Sequence, residues 1–324
     1  MSYNPPFEVN NQVLSLVAEI AEFVGKASIS AELDRNPTLR RENRIKTIHG
    51  SLAIEQNTLS LEQVTSVING KAVLAPPKDI EEVKNAFEIY EVLDTLSPYS
   101  ANDLLKAHGV LMRGLIDGAG AFRTKPAGVV DSKTGKVIHF GTLPEYVPEL
   151  TENLLNWVKE SNVHELIKGC VFHYEFEVIH PFLDGNGRLG RLWHTLILSK
   201  WTPIFAYIPI ESMIYKNQRA YYDCINSCNA KADSTEFIIF MLGLIKQALE
   251  EITCSSGTSQ EQVKLLLDFC KTPRSRKEMQ ELLGIEGRKA FNNNYLKPLL
   301  AEGKLKMTVP DKPNSRSQKY ITVK

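Results

Sequence analysis

The sequence predicts a mainly α-helical protein that contains one small β-hairpin and ends in a separate C-terminal domain. Apolar residues recur at intervals of three and four over most of the first 250 residues, which is typical of helices that face a core. The exception is a stretch rich in Gly and Pro at 118–148, where short β-favouring runs flank a turn. A change in charge near residue 258 indicates the C-terminal domain.

Composition limits the class of protein. The chain has 324 residues, 43% of them hydrophobic, and its 38 basic and 38 acidic side chains cancel. This length suggests about two domains, and the composition argues against disorder and against a nucleic-acid binder that uses its whole surface. No apolar run approaches the roughly 20 residues of a membrane helix, and the N-terminus lacks an export signal. With five cysteines, an odd number that fits reduced thiols, we expect a cytoplasmic protein with no membrane anchor.

The helices before the hairpin are marked by their ends as well as by their spacing. Gly25 is a stop for the first helix, and Ser60 with Gln63 has the capping-box spacing that starts a later one. Consecutive prolines at 76–77 break the chain before the next helical segment. We expect these helices at 13–24, 39–54, from 60 onward and at 81–93.

The hairpin is predicted at about 129–140. Val129-Val130 and Val137-Ile138 favour β structure, and turn residues occupy 131–135 between them. An isolated hairpin is only marginally stable in water, so we expect it to pack against helices and to keep one unpaired edge. Helical spacing resumes at 150, is nearly unbroken over 163–178, and continues from 192 after an interruption at 181–190.

The C-terminal region differs in charge from the rest. Small polar residues at 253–259 predict a linker. Residues 258–324 hold 14 Lys/Arg and 7 Asp/Glu, a net charge of +7, which leaves −7 on the remainder. Three short helices are expected at 261–270, 276–283 and 288–301, and two strands at 305–309 and 320–323. This order resembles a winged helix, a fold that binds either DNA or protein partners.

The most informative segment is 180–191, His-Pro-Phe-Leu-Asp-Gly-Asn-Gly-Arg-Leu-Gly-Arg. Pro181 ends a buried helix at His180, since proline cannot continue it. The Gly-rich turn that follows tolerates left-handed backbone, so successive N–H groups can converge on an anion. A helix that begins at about Arg188 points its positive end at the same place. The segment therefore predicts a site for a phosphate-bearing ligand.

Charged side chains around this turn indicate phosphoryl or nucleotidyl transfer. Arg188 and Arg191 share one face of the first helical turn, where cations oppose the helix dipole unless a polyanion binds. Asp184 can hold Mg²⁺, and His180 can accept a hydroxyl proton. The alternative, a Gly-rich connection with solvated arginines, accounts for Asp-Gly-Asn-Gly alone but not for the flanking residues.

The segment resembles the signature of the Fic family at every fixed position, and the resemblance covers roughly residues 40–250. Family members transfer AMP from ATP to a Ser, Thr or Tyr hydroxyl of a target protein. The resemblance implies that His180 deprotonates that hydroxyl, that Asp184 holds Mg²⁺ and that Phe182 anchors the turn. It places the α-phosphate on the glycines and asparagine, and the β- and γ-phosphates on the two arginines. The implied nucleotide-binding residues are Asp184, Gly185, Asn186, Gly187, Arg188, Leu189, Gly190 and Arg191.

Residues 47–57 resemble the inhibitory helix of the same family, Ser/Thr-x-x-x-Glu-Gly/Asn, through Ser51 and Glu55. The resemblance implies that Glu55 pairs with Arg191 and blocks the γ-phosphate. Because this helix precedes the signature, the chain is similar to the self-inhibited class with an N-terminal inhibitory helix. Gln56 departs from the pattern, which has Gly or Asn there. A surface glutamate on an amphipathic helix is the alternative interpretation.

The predicted hairpin occupies the place of the family's flap, which binds the target segment as an added strand. The resemblance implies that the residues facing the target are Val137, Ile138, His139 and Phe140. Tyr221, Tyr222 and Asn229 resemble contacts to the adenine and ribose, although half-buried aromatic residues on a helix explain the tyrosines equally well.

These observations predict a Fic-like helical bundle with a flap and a C-terminal winged helix. We expect domains at 1–95, with the inhibitory helix at about 47–57, at 96–252, the catalytic core with the flap, and at 258–324. The leading hypothesis is a protein adenylyltransferase that uses ATP and Mg²⁺, acts on a target hydroxyl that can be its own, and is restrained by Glu55. Removal of AMP from a target and a DNA-binding regulator that senses nucleotide are the alternatives. UTP or GTP in place of ATP, DNA contact by 258–324 and a homodimer also stay open.

Overall fold

The computed structural model of the chain describes residues 3–25, 36–130, 137–285, 288–311, 315 and 318–323. Two compact units divide it, Met1–Glu250 and Glu251–Lys324. Over the residues just given, none of the helices is both long and apolar enough to cross a membrane. The boundary predicted between residues 95 and 96, inside the first unit, stays a prediction.

The first unit is mainly helical, as the apolar spacing predicted. Ser60 and Gln63 form the expected capping box, and Asn36 caps the helix that precedes Glu55. The helices are α1 (Asn11–Gly25), α2 (Pro37–Ile54), α3 (Leu61–Ile68), α4 (Pro77–Glu91), α5 (Ala101–Leu111), α6 (Val147–Glu160), α7 (Glu165–Ile179), α8 (Asn186–Trp201), α9 (Ile210–Lys216), α10 (Gln218–Lys231) and α11 (Thr235–Phe269). Short 3₁₀ turns lie at Leu93–Thr95, Pro144–Tyr146 and Pro203–Tyr207.

The centre of the core lies along α7 and α8, which pack on each other. Phe172 and Phe176 on α7 and Leu189, Trp193 and Leu196 on α8 are completely or almost completely buried. Burial on nearly all sides explains why apolar residues occur on most faces of α7 rather than along one stripe. The Gly-rich turn at 181–185 joins these two helices, so the core holds both of its ends.

Helix α2 is also part of the core. Ile45, Ile48 and Leu52 are buried. A Cβ atom added to Gly50 would lie 2.8 Å from the main-chain carbonyl carbon of Glu211 in α9, so only glycine permits this approach. The close packing fixes the position of the residue that ends α2, Glu55.

The predicted hairpin is confirmed. Strands β1 (Gly128–Val130) and β2 (Val137–Phe140) pair in the antiparallel sense, with Gly128 opposite Phe140 and Val129 opposite His139. The register shifts between Val129 and Val130. The turn predicted at 131–135 lies outside the described residues.

The second unit has the predicted order of helices followed by a hairpin. Helix α12 (Arg276–Leu283) begins with a capping box of Ser275 and Glu278 and ends at Gly284, as expected. Helix α13 (Arg288–Phe291) continues through a π-helical turn (Asn292–Leu296) into α14 (Lys297–Ala301). Strands β3 (Leu305–Met307) and β4 (Tyr320–Thr322) are antiparallel. The likeness to a winged helix rests on this order, and DNA contact by this unit stays a prediction.

The linker predicted at 253–259 is wrong. These residues lie inside α11, which is one helix of 35 residues. Small polar residues and glycine each cost at most about 1 kcal/mol in a helix interior. Buried apolar residues on both sides, Leu249 and Ile252 before and Leu266 after, outweigh that cost.

Candidate active site

The candidate site is built on the turn between α7 and α8. His180 directly follows α7 and has left-handed backbone angles, φ 52° and ψ 63°. Pro181 explains them, since a proline disfavours right-handed helical angles in the residue before it. At the other end of the turn Gly185 has φ 86° and caps α8, which begins at Asn186 rather than at the expected Arg188. Left-handed residues at both ends therefore turn the chain back into the core.

The side chain of Asn186 holds this turn together. Its Oδ1 accepts the N–H of Phe182 at 2.9 Å, and its Nδ2 donates to the carbonyl of Phe182 at 2.8 Å. The ring of Phe182 is completely buried, as predicted for an anchor. The side-chain amide of Asn186 is hydrogen-bonded within the turn. The main-chain N–H of Asn186 is therefore the donor of this residue that can bind a phosphate. This N–H lies in the first turn of α8, where donors have no acceptor within the helix.

Arg123 fixes the position of His180. Its Nε donates to the carbonyl of His180 at 2.6 Å, and its main-chain N–H donates to the carbonyl of Pro181 at 3.0 Å. Arg123 is buried and lies in the segment just before the hairpin. One side chain thus ties the start of the hairpin to the end of α7.

His108 on α5 contacts the same turn through its imidazole ring. Its Nδ1 accepts the N–H of Gly120 at 2.9 Å, so the proton is on Nε2, which donates to the carbonyl of Asp184 at 3.0 Å. The imidazole stacks on Phe182 with 3.7 Å between ring centroids. Burial lowers the pKa of His108, which keeps this ring neutral.

A cleft of about 290 Å³ opens beside the turn, at the N-terminal end of α8. His180 and Glu55 border it, and so do most of the residues predicted to bind nucleotide: Asp184, Gly185, Asn186, Gly187, Arg191, Tyr221, Tyr222 and Asn229. Three predicted residues do not line it: Arg188, whose partners are described below, Leu189 and Gly190. Leu189 is completely buried, and a Cβ on Gly190 would meet the ring of Phe176. Any contact of Leu189 or Gly190 with a nucleotide is therefore limited to the main chain.

Glu55 and Ser51 both bind Arg191. The Arg191 Nη2 donates to Glu55 Oε1 at 2.8 Å and to the Ser51 carbonyl at 2.9 Å, and its Nε donates to Ser51 Oγ at 3.1 Å. The guanidinium is 1% exposed and the Glu55 side chain 33%. Burial acts to lower the pKa of Arg191, but the charge and hydrogen bond of Glu55, together with Tyr221 and Tyr222, outweigh burial, and the pKa is raised. A Cβ on Gly187 would overlap Glu55 Oε1, so this carboxylate rests directly against the turn.

Arg188 has different partners. Its Nη1 donates to Glu82 Oε1 on α4 at 2.8 Å, and its Nη2 donates to Asp184 Oδ1 at 2.9 Å. Arg188 and Glu82 are both buried, and Glu82 Oε2 accepts from Asn57 Nδ2 at 2.8 Å. Contact between Arg188 and a phosphate would compete with this buried ion pair.

Asp184 can provide one carboxylate ligand for Mg²⁺. Its side chain is 49% exposed, and its Oδ1 accepts from the Gly185 N–H at 2.6 Å and from Arg188. Both of these hydrogen bonds are on Oδ1, and within the described part of the chain Oδ2 can face a cation. Mg²⁺ usually takes one or two carboxylates and completes its shell with phosphate and water oxygens. Among the described residues no group of three or more metal-binding side chains occurs.

The two tyrosines differ in exposure. Tyr221 is 1% exposed, and its hydroxyl lies 3.0 Å from Nε2 of His173 in the core. Tyr222 is 39% exposed beside it. Asn229 accepts from the hydroxyl of Tyr174 at 2.8 Å. Tyr221 is thus a core residue that borders the cleft, and Tyr222 is the one whose ring can lie against a base.

The predicted target-binding residues, Val137, Ile138, His139 and Phe140, form β2. Their main-chain pairing with β1 is described above, and their side chains lie outside what the structure describes. Their contact with a target segment stays a prediction.

Sequence reasoning missed four residues of the site. Glu82, His108 and Arg123 come from distant parts of the chain, and no spacing connects them to the signature. Residues 120–123 resemble the family's loop before the flap, but that resemblance assigned no role to Arg123. Glu177 could have been found, because it lies three residues before His180 on the same helix and therefore on a similar face. It lines the cleft, and burial raises its pKa to about 7.

Comparison with known proteins gives two matching family models. One, described as the Fic/DOC family, matches residues 98–198, and one for the C-terminal domain of Fic-like proteins (filamentation induced by cAMP) matches 261–322. Protein adenylyltransferase fic-1 of Caenorhabditis elegans is 24% identical over 288 residues, 85% of this chain and 53% of the relative. Protein adenylyltransferase Fic of Drosophila willistoni is 25% identical over 260 residues, 75% of this chain and 49% of the relative. The chain spans about half the length of these curated relatives.

Two solved structures match a larger share of their own length than the curated relatives do. The crystal structure of a Fic family protein from Desulfovibrio desulfuricans G20 is 43% identical with a TM-score of 0.77, and the match covers 99% of this chain and 98% of that one. Fic-1 of Caenorhabditis elegans has a TM-score of 0.61 and 23% identity, over 76% of this chain and 72% of that one. The second match shows a common fold.

Proposed function

The chain belongs to the Fic family, and from this membership together with the geometry of its cleft we propose that it is a protein adenylyltransferase. In this proposal the enzyme moves AMP from ATP to a Ser, Thr or Tyr hydroxyl of a target protein. The observation that supports it most directly is the convergence of His180, the N-terminal end of α8 and the buried Arg191 guanidinium on one cleft.

The proposed reaction is an attack of the target hydroxyl on the α-phosphorus of ATP. His180 takes the proton of the hydroxyl, whose oxygen forms a bond to the α-phosphorus, and the bond from that phosphorus to the β-phosphate oxygen breaks. Pyrophosphate leaves with the electron pair. The main-chain N–H groups of Asn186, Gly187 and Arg188, in the first turn of α8, stabilise charge on the α-phosphate. Positioning and electrostatic stabilisation account for most of the catalysis in such reactions.

Asp184 is the proposed ligand of Mg²⁺, which when bound neutralises phosphate charge. The chain holds this carboxylate in place through the Gly185 N–H and Arg188, both on Oδ1. His108 holds the main chain of the same residue through its carbonyl. The carboxylate is therefore oriented before a nucleotide binds, so less side-chain entropy is lost on binding.

Glu55 restrains the enzyme in this proposal. It contacts the cationic end of Arg191 and rests against Gly187, so it competes with the γ-phosphate for the same guanidinium. Ser51, one turn earlier on α2, binds Arg191 through two further hydrogen bonds. Since α2 is packed in the core up to Ile54, a movement of Glu55 alone can remove its carboxylate from the guanidinium without displacing the helix, while the hydrogen bonds from Ser51 remain.

The two-stranded hairpin is the proposed docking place for the target. In the described residues β1 and β2 pair only with each other, so each strand has an edge that an extended segment could join. Main-chain hydrogen bonds of that kind place a hydroxyl with little demand on the target sequence.

Mass spectrometry after incubation with ATP and Mg²⁺ tests the proposal. We expect Glu55→Gly to gain the mass of AMP on its own hydroxyl groups or on an added target, and to gain more than the parent. His180→Ala in the Glu55→Gly background should bind ATP with similar affinity but gain no AMP. Equal labelling with and without His180 would show that the assigned base is wrong. Release of AMP from a labelled target that depends on Glu55 would favour the reverse reaction.

A further inference from the structure

Glu177 is a carboxyl group in the candidate cleft to which the proposed reaction gives no role. It lies on α7, one turn before His180, and lines the cleft together with Glu55 and Arg191. Its Oε1 is buried and has no hydrogen-bond partner among the residues that the structure describes. A buried carboxylate without a donor is costly, so such a group either binds a proton or pairs with a nearby cation.

The charged and titratable groups around Glu177 come from three other elements and from its own helix. Arg191 on α8 attracts the carboxylate, and Glu55 at the end of α2 repels it. Tyr221 and Tyr222 on α10 stay neutral, since burial raises the pKa of both hydroxyl groups. On α7 itself the titratable residues one turn before Glu177 are His173 and Tyr174, and His180 directly follows the helix.

Two carboxyl groups therefore line the same cleft as one buried guanidinium. Glu55 forms the hydrogen bond to Arg191, whereas the structure shows none between Arg191 and Glu177. Glu177 then keeps a proton near neutral pH: burial raises its pKa to about 7, Arg191 lowers it and Glu55 raises it. The last two effects show that the protonation of Glu177 depends on which anion occupies Arg191.

We propose that Glu177 is the alternative anionic partner of Arg191, protonated while Glu55 or a triphosphate occupies the guanidinium and ionised when neither does. This inference deepens the proposed function and rests on it for the identity of the triphosphate. Glu177 is a positioning residue in this scheme. It compensates the charge of Arg191 and keeps the guanidinium at the cleft between the departure of Glu55 and the arrival of the nucleotide.

A proton balance follows from this exchange. When the triphosphate binds a protein whose Glu55 is displaced, its negative charge replaces that of Glu177 at Arg191, and Glu177 takes up a proton from solvent. Nucleotide affinity should then decrease as pH rises, because the proton must be supplied at lower concentration. Glu177→Gln removes both the competing charge and the proton.

The first measurement needs no nucleotide. The pH midpoint of the Glu177 carboxyl is followed by ¹³C NMR in the parent and in Glu55→Gln, and its resonance is assigned by its loss in Glu177→Gln. We expect a midpoint near neutral in the parent and a decrease of about one pH unit or more in Glu55→Gln, where Arg191 has lost its charged partner. An ordinary midpoint in the parent, or the same midpoint in both proteins, would overturn the inference.

The second measurement is calorimetric titration of MgATP into Glu55→Gly, with Glu55→Gly/Glu177→Gln as the matched control. Buffers of different ionisation enthalpy give the number of protons taken up at about pH 7.5. We expect Glu55→Gly to take up more protons than the control and to lose affinity more steeply between pH 6.5 and 8. Equal proton uptake in the two proteins would overturn the role of Glu177 while ATP binding still supported the proposed function. Absence of ATP binding to Glu55→Gly would contradict the proposed function and also the exchange between Glu177 and a triphosphate. The NMR midpoints would still show whether Glu177 and Glu55 compete for Arg191.

Discussion

The residue after Glu55 has a strained backbone. Gln56 adopts φ 67°, a left-handed conformation that favours Gly or Asn. The chain must turn this way to close the end of α2, where the Gln56 N–H donates to Ala53 and the Asn57 N–H to Leu52. The inhibitory helix that this segment resembles has Gly or Asn at this position, and the backbone angle gives the physical reason.

Replacement of Gln56 by Asn should therefore stabilise the protein. Gln56 is exposed, and Asn keeps the amide and tolerates left-handed angles, so we expect a gain of about 0.5 kcal/mol. Gln56→Val, which is β-branched, should lose about 1 kcal/mol or more. Urea unfolding of the three proteins measures both changes. A Val variant as stable as the Asn variant would show that this backbone angle carries no strain.

The buried pair of Arg188 and Glu82 is a second feature at the residue scale. Glu82→Gln removes the charge that compensates Arg188 and leaves only the half-exposed Asp184 beside it. We expect a loss of about 3 kcal/mol in the free energy of unfolding, as is usual when one member of a buried pair is removed.

The matched control for Glu82→Gln is Glu88→Gln. Glu88 lies on the same helix, α4, and pairs with Arg113 on the surface, where both side chains are about half exposed. Its replacement should cost less than about 1 kcal/mol. Similar losses for the two variants, measured by denaturant unfolding, would contradict the distinction between the buried and the exposed pair.

Among the elements, α2 determines where the inhibitory carboxylate lies. Its approach to α9 at Gly50 leaves no room for a side chain, and Ser212 Oγ donates to the Lys46 carbonyl at 3.0 Å across the same contact. At its end, Gln218 Nε2 donates to the Ile54 carbonyl at 2.8 Å. Helix packing thus holds Glu55 at Arg191 as much as their ion pair does.

Gly50→Ala tests this role of the packing. The new methyl group would overlap the main chain of α9, so α2 must move, at a cost of about 1–3 kcal/mol, and the Glu55–Arg191 contact should weaken. We expect lower stability together with increased AMP transfer. Gly243→Ala in α11 is the control, since nothing lies within 4 Å of its added Cβ, and it should be neutral or stabilising by up to about 1 kcal/mol. Unchanged transfer by Gly50→Ala would show that α2 does not position the inhibitor.

For the molecule as a whole, the buried Glu177 predicts a pH dependence of stability. Its pKa is about 7 in the folded protein and about 4.3 in an unfolded chain, so the unfolded state loses this proton first as pH rises. This contribution to unfolding is absent below about pH 4, grows up to about pH 7 and stays constant above it, where it destabilises the folded protein by on the order of 3–4 kcal/mol. Glu177→Gln should thus gain stability relative to the parent over this range. A difference between the two proteins that does not change with pH would contradict this prediction.

The sequence predicted most of what is local along the chain. Helix spacing, the capping boxes at Ser60 and Ser275, and the hairpin depend on neighbouring residues and are confirmed. The linker at 253–259 was wrong, because local composition cannot show the packing of residues on either side of it. At the site, the pairing of Glu55 with Arg191 followed from a resemblance. Glu82, His108 and Arg123 could not be predicted, because each reaches the turn through tertiary packing.

The most direct test of the central claim compares ATP labelled at the α-phosphate with ATP labelled at the γ-phosphate. Glu55→Gly is incubated with each nucleotide and Mg²⁺, and label bound covalently to protein is counted, with Glu55→Gly/His180→Ala as the control. We predict that the α-label is transferred with release of pyrophosphate, that the γ-label is not, and that the control transfers neither. Transfer of the γ-label, or of the α-label by the control, would contradict the account.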